Sequence, residues 1–310
     1  MAAAAQLSVR GRGALNLVLL VAVAALGALA WFKPGAQHDA DQHAVFGDVS
    51  HLQTILSKPR DAAGFALARG ADGGWRLTAP FTVPADPVLV TALLDDLKDA
   101  KSDARYASGA LDLKQVGLAE PGLVLTLDGH RYEFGGTEAI NYRRYLRDGD
   151  AVSLVSDLLY YRVSQEAGAL ADKRLLPKGA AITALELPGR ALRKTGDGKW
   201  QLIPDDPTVS ADAIVALIDA WSQATADAVK ARAEGVVQAT LRVTLAGANA
   251  PLEFQLLTAA AGLRLARPDL GIEYALPAEA RATLLELPKA QLPTPAPAPT
   301  PKSTPPHSKK

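Results

Sequence analysis

One apolar pattern occurs twice in this chain and constrains everything around it. In the first half, Trp75-Arg-Leu-Thr-Ala-Pro80 leads to Ala85-Asp86 and then to Val90, Leu93, Leu94 and Leu97. In the second half, Trp200-Gln-Leu-Ile-Pro204 leads to Ala211-Asp212 and then to Ile214, Leu217, Ile218 and Trp221. Both quartets have i, i+3, i+4, i+7 spacing, which is one face of an amphipathic helix. A supersecondary unit repeated within one chain predicts two lobes of the same construction.

The residues around each helix repeat as well. Asp86 is placed to accept the orphan N–H groups of the first helix, with Pro87 at its first position, and Ser210 or Asp212 serves the second. Downstream, Leu123, Leu125 and Leu127 alternate with other residues, Asp128-Gly129 supplies a hairpin turn, and Tyr132 and Phe134 alternate on the return. Leu241, Val243 and Leu245 lead in the same way through Gly247 and Asn249 to Leu252, Phe254 and Leu256. A second hairpin follows in each half, Tyr142 to Arg147 turning at Asp148-Gly149, and Leu263 to Arg267 turning before Ile272 and Tyr274. Each half also begins with a hairpin, at Gly64 to Arg69 and at Ala184 to Arg193. The expected fold class is therefore α+β, with two tandem duplicated lobes, each an antiparallel sheet covered by a helix. Trp75, Pro80, Asp86, Trp200, Pro204 and Asp212 are the repeat motif, and the two tryptophans read as sheet–helix packing residues.

The ends of the chain are of a different kind. Ala14 to Phe32 carries no charge, and at about 1.5 Å per residue a helix over it spans a hydrocarbon core of about 30 Å. Arg10 and Arg12 before the run keep the N-terminus cytoplasmic and send the body across the inner membrane into the periplasm. The rival reading is a cleaved secretory signal ending at Ala28-Leu29-Ala30, which also exports the body. Ala24 and Ala28 have the small-xxx-small spacing that lets two such helices pack as a weak homodimer. The division expected is 1–13 cytoplasmic, 14–32 transmembrane anchor, 33–49 linker, 50–178 first lobe, 179–288 second lobe and 289–310 a disordered Pro-rich tail.

Composition excludes more than it assigns. Lysine plus arginine and aspartate plus glutamate both number 33, so no global field draws in nucleic acid. The absence of cysteine removes disulfides, thiolate metal sites and cysteine nucleophiles. His38, His43 and His51 with Asp39, Asp41 and Asp48 lack a rigid ligand spacing, so no metal and no cofactor is expected. No nucleophile elbow and no phosphate loop is present, and no catalytic residue is assigned.

Trp75-x-Leu-x-x-Pro80, then Ala85-Asp86, then Gly117-Leu118-x-x-Pro121, then Gly135-Gly136 with Tyr142 and Tyr145, resembles an uncharacterised family of membrane-anchored extracytoplasmic domains, domain of unknown function 4340. The resemblance implies a place beside ABC-transporter permeases and ATPases, as in the auxiliary subunits of gliding-motility-type export systems. The second lobe departs from the pattern, with Gly235-Val-Val where a Gly-Leu-x-x-Pro turn is expected, so a surface built by Gly117 to Pro121 belongs to the first lobe alone.

The polar set Tyr142, Arg143, Arg144, Tyr145 and Arg147 is the candidate ligand- or partner-binding site, since arginine forks and tyrosine faces suit carboxylates and phosphates. The competing reading gives these charges to an edge strand, where they prevent sheet-to-sheet association. The function expected is a non-enzymatic, membrane-anchored periplasmic auxiliary or scaffold protein of an ABC-type transport system. The alternatives are a cell-envelope enzyme and a small-ligand or lipid-binding module with a site between the lobes.

Overall fold

The structure, a computed structural model, describes residues 43–102 and 104–287. The apolar run Ala14–Phe32, residues 33–42 and the Pro-rich tail lie outside the described residues. Among those described, no helix is long and apolar enough to cross a membrane.

After β1 (His43–Ala44) the chain lays down β2 (Thr54–Pro59), β3 (Phe65–Arg69), β4 (Trp75–Ala79), β5 (Val83–Pro84) and helix α1 (Pro87–Lys98). It continues through β6 (Lys101–Ser102), β7 (Arg105–Ala107), β8 (Leu123–Leu127), β9 (His130–Thr137), β10 (Arg143–Asp148) and β11 (Ala151–Ser156) to α2 (Asp157–Val163) and α3 (Ala167–Leu170). The second half consists of β12 (Ile182–Leu187), β13 (Arg190–Lys194), β14 (Trp200–Ile203), α4 (Ala211–Gln223), β15 (Ala228–Ala231), β16 (Val237–Leu245), β17 (Leu252–Leu257), β18 (Leu263–Arg267), β19 (Ile272–Leu276) and α5 (Ala280–Leu285).

β1 and β6 form a small two-stranded sheet, and two large antiparallel sheets result, in the orders β5-β4-β3-β2-β8-β9-β10-β11-β7 and β14-β13-β12-β16-β17-β18-β19-β15. Without β5 the first order matches the second strand for strand. β2 and β12 each join a following meander of four, and β7 and β15, which come after the long helices, close the far edges. The fold is thus sheet-rich, with few helices, and the hairpins read from the alternating apolar residues are in place.

The helices take their positions for the reasons the sequence implies. Asp86 accepts from Val88 N at 2.8 Å and Leu89 N at 3.3 Å, and Val90, Leu93 and Leu97 are buried. In α4 the cap is Ser210, which accepts from Ala213 N at 3.1 Å, and Asp212 lies inside the first turn. Of the two residues that the sequence offers as the second cap, Ser210 is the one used, four residues before Ile214 as Asp86 is before Val90. Trp75 and Trp200 are half-buried against the core, as packing residues are.

The buried apolar residues of both sheets form one continuous cluster. Its seam is the segment from α3 to Leu176. Asp86 N donates to Leu170 O and Asp172 N to Pro84 O on one side, while Ala226 N donates to Lys173 O and Leu175 N to Ala224 O on the other. Where the sequence reads residues 33–49 as linker, Phe46 and Val49 are buried, and Phe46 meets Tyr132 edge-on at 4.7 Å. The short strands β7 and β15 gave no signal in the sequence, because three or four edge residues carry too little alternation to register.

Candidate functional site

Gly117, Gly135 and Gly136 of the first-lobe motif line one cleft of about 530 Å³, and glycine is what builds it. The loop 112–122 crosses the end of β9, and Gly136 N donates to Val116 O at 2.8 Å. A Cβ on Gly117, whose φ is +71°, would lie 2.7 Å from Gly136 N, and one on Gly135 would lie 2.4 Å from Val116 O. Two backbones touch here, which only residues without side chains permit. Leu118, 1% exposed, pins the loop from beneath, and Gly122 N donates to Phe134 O. The Gly117-Leu118-x-x-Pro121 and Gly135-Gly136 motifs are thus two halves of one contact.

Arg144 and Tyr160 form the floor. The Arg144 guanidinium lies 3.8 Å from the Tyr160 ring centroid. It donates through Nε to Asp157 Oδ1 at 2.5 Å, through Nη1 to Gly135 O at 2.8 Å, and through Nη2 to Thr137 Oγ1 at 3.2 Å. Asp157 neutralises its charge and each of its three nitrogens is engaged, so it holds the cleft's shape. On the rim stand Lys114 and Arg60, the latter donating to Glu120 O at 3.0 Å and facing the carboxylates of Asp61 at 3.5 Å and Glu120 at 3.7 Å. Polar backbone, one aromatic face and a rim of both signs suit an extended polar segment or a small polar group. Its titratable lining consists of Lys114, Tyr160, Asp61 and Glu120 beside the two arginines, and it holds no serine, threonine or histidine.

The structure divides the five residues of the polar set Tyr142–Arg147 between surfaces. β10 is an interior strand, paired with β9 and β11, so the edge-strand reading of these charges is corrected. Arg144 faces the cleft. Arg147 turns to the opposite face, where its Nε donates to Glu133 Oε2 at 2.6 Å and Arg131 Nε holds the other carboxylate oxygen at 2.8 Å. Arg143 lines a separate depression of about 300 Å³ with Lys101, Leu158 and Arg162. Tyr145 is half-buried opposite Leu154, and Tyr142 is 73% exposed at the β9–β10 turn with φ +55°. The five do not form one recognition surface.

Arg60, Lys114 and Tyr160 are site residues that sequence reasoning missed. The signal that finds them is the glycine pairing, since any loop tied to Gly135-Gly136 brings its neighbours along. The second lobe has no equivalent cleft wall: Phe254 pairs with Leu241 as Phe134 pairs with Leu123, but Gln255 and Leu256 follow it in place of two glycines.

The titration of two carboxylates outside the cleft follows from their contacts. At Asp128, burial works to raise the pKa, but hydrogen bonds from Thr54 N, Gln53 N and the Thr54 hydroxyl outweigh it and hold the carboxyl below its usual range. At Asp172, burial likewise opposes the Arg174 side-chain and backbone hydrogen bonds, which prevail.

Comparison with known families gives a match. The profile of a family described as a domain of unknown function (DUF4340) covers residues 75–251, which takes in the tryptophan–proline strands, both long helices and the glycine-built cleft. Among curated proteins and among solved structures, nothing matches.

Proposed function

The chain belongs to the DUF4340 family, and from that premise we propose that it is a non-enzymatic periplasmic scaffold or auxiliary protein, held in the inner membrane by Ala14–Phe32 and associated with an ABC-type transport system. The observation that carries this reading is the first-lobe cleft. Its glycine-to-glycine wall and its arginine floor, held by Asp157, Gly135 and Thr137, are preorganised for contact. The matching strand orders of the two sheets support reading the lobes as tandem copies of one unit, of which the first alone acquired the cleft.

The test uses the full chain in native membranes, mildly crosslinked, purified and analysed by mass spectrometry. Ala119 is exposed on the cleft wall, so Ala119→Trp fills the space while leaving the loop's own hydrogen bonds in place. Recovery of a permease and ATPase of the ABC class with the native chain is expected. A fall of about tenfold with Ala119→Trp, equivalent to about 1.4 kcal/mol of contact, is expected alongside an unchanged melting temperature. Undiminished recovery with the variant would remove the cleft from the reading, and recovery of no transporter component would remove the transport association.

A further inference from the structure

We infer that the first lobe lies against the lipid surface through α2 and the β9–β10 turn. This rests on the anchored reading above and extends it from a tether to a fixed orientation. Of the large apolar side chains that the fold leaves exposed, Ile140 (83%), Tyr142 (73%), Leu158 (59%) and Tyr161 (61%) belong to these two neighbouring elements. Leu158 and Tyr161 are one helical turn apart on α2, while Leu159 and Val163 occupy its buried side. Arg143, next to Tyr142, pairs with Ser156, the residue before α2, which brings the turn and the helix together.

Basic residues accompany this apolar set. Arg143, Arg162 and Lys101 line one depression with Leu158, and its acids are Asp96 and Asp99, Asp96 lying 3.2 Å from Arg162 Nε. Exposed leucine, isoleucine and tyrosine beside lysine and arginine match the chemistry of a bilayer interface, with apolar groups entering the acyl boundary and cations meeting anionic headgroups.

The connection to the anchor selects the bilayer over other occupants. The fold begins at β1, which pairs with Lys101–Ser102, and Val45 N donates to Ala100 O. Ala100 and Lys101 both line the depression, so the chain enters the body beside this patch. The ten residues 33–42 between Phe32 and His43 reach at most about 36 Å even fully extended, which keeps the entry point close to the membrane.

A chain without cysteine allows single labels. The full chain is reconstituted in vesicles containing anionic lipid, and an environment-sensitive fluorophore is placed by Leu158→Cys, by Val215→Cys on the exposed face of α4, or by Leu20→Cys in the anchor. Quenching by headgroup-borne nitroxide is expected to be at least about threefold stronger at position 158 than at 215, with position 20 quenched by acyl-chain nitroxide. Quenching at 20 with equal, weak quenching at 158 and 215 would overturn the lipid contact while leaving the anchor. A label at 158 shielded from aqueous iodide but untouched by lipid nitroxide would place protein there and also overturn it. Absence of quenching at 20 would remove the anchor and this inference together.

Discussion

Pro80 lies six positions before the capping Asp86, and Pro204 lies six positions before the capping Ser210, yet the two intervening segments fold differently. In the first lobe Val83 pairs with Leu77, Ala85 N donates to Trp75 O, and the sheet gains a ninth strand. In the second, Pro207 stands where Val83 does and has no N–H to give. Asp206 draws Thr208 into a turn instead, accepting from its N at 3.0 Å and its hydroxyl at 2.6 Å. Equal length and equal endpoints do not decide the structure; the available donor does. The long helices differ in the same manner. Leu97 and Trp221 end equivalent apolar quartets, but the Trp221 indole donates to Leu284 O at 2.8 Å and ties α4 to α5. The first lobe joins α1 to α2 by the Arg162–Asp96 ion pair.

The largest effect is expected where the second lobe relies on one side chain. Trp221 is fully buried, and Trp221→Ala removes its volume and leaves the Leu284 carbonyl without its donor. A loss of about 4 kcal/mol is expected, against about 3 kcal/mol for Leu97→Ala. Chemical denaturation of the two variants tests the order, and because the core is continuous across both lobes a single transition is expected in each. A larger loss for Leu97→Ala would mean that the indole bond contributes nothing to holding α5.

Next is Val83→Pro, which gives the first lobe the residue that denies the second its extra strand. Val83 is 2% exposed and opposite Leu77, so both a ladder donor and buried volume are lost, at about 2–3 kcal/mol. Hydrogen exchange at Leu77 should accelerate while exchange at Leu202, which has no such partner strand, stays as it was. Equal acceleration at both would show that β5 protects nothing locally.

How far these features could be read beforehand depends on the kind of interaction. The amphipathic quartets, the Asp128-Gly129 hairpin and the alternating meanders were legible because burial and turn chemistry act over a few neighbouring residues. The strand order was partly legible, since the meander read in each half sets consecutive strands side by side. The cleft was not legible as a cleft. Gly117 and Gly135 stand apart in sequence and meet through a backbone approach that leaves no periodic trace, so their motifs were recognised without their purpose. The Tyr142–Arg147 run misled for a related reason. Consecutive residues on a strand face opposite ways, and a charge-rich run looks like an edge until its neighbours on both sides are known. The bonds that cross the seam at α3 gave no signal, because they join backbone groups that every residue carries.

That seam offers a third and smaller test. A Cβ on Gly168 would lie 1.8 Å from Val229 O, so Gly168→Ala must push α3 away from β15, at about 2 kcal/mol. Gly136→Ala in the cleft meets its nearest atom at 3.4 Å and should cost less than about 1 kcal/mol. Protease sensitivity near Asp172 is expected to rise in the first variant and not in the second. The reverse pattern would mean that the cleft, rather than the seam, is the tighter joint.

The smallest effect concerns acid. The Asp172 carboxylate belongs to the seam, where it is bonded by Arg174 N at 3.1 Å and by the guanidinium at 2.5–3.1 Å, and its pKa lies below the usual carboxylate value despite burial. A carboxylate whose folded pKa is depressed contributes stability that is complete above its unfolded pKa of about 4 and is lost as pH falls through the folded value. The seam should therefore loosen below about pH 4, and Asp172→Asn should flatten that acid limb of the stability curve while changing stability little once protonation has already removed the charge. Asp128 is depressed too, but it clamps the first sheet at Gln53 and Thr54, away from the seam. Exchange measured separately at Ala226 and at Thr54 distinguishes the two. If Asp172→Asn slows acid opening at Thr54 and not at Ala226, the lobes are coupled more strongly through their common core than through the segment that joins them.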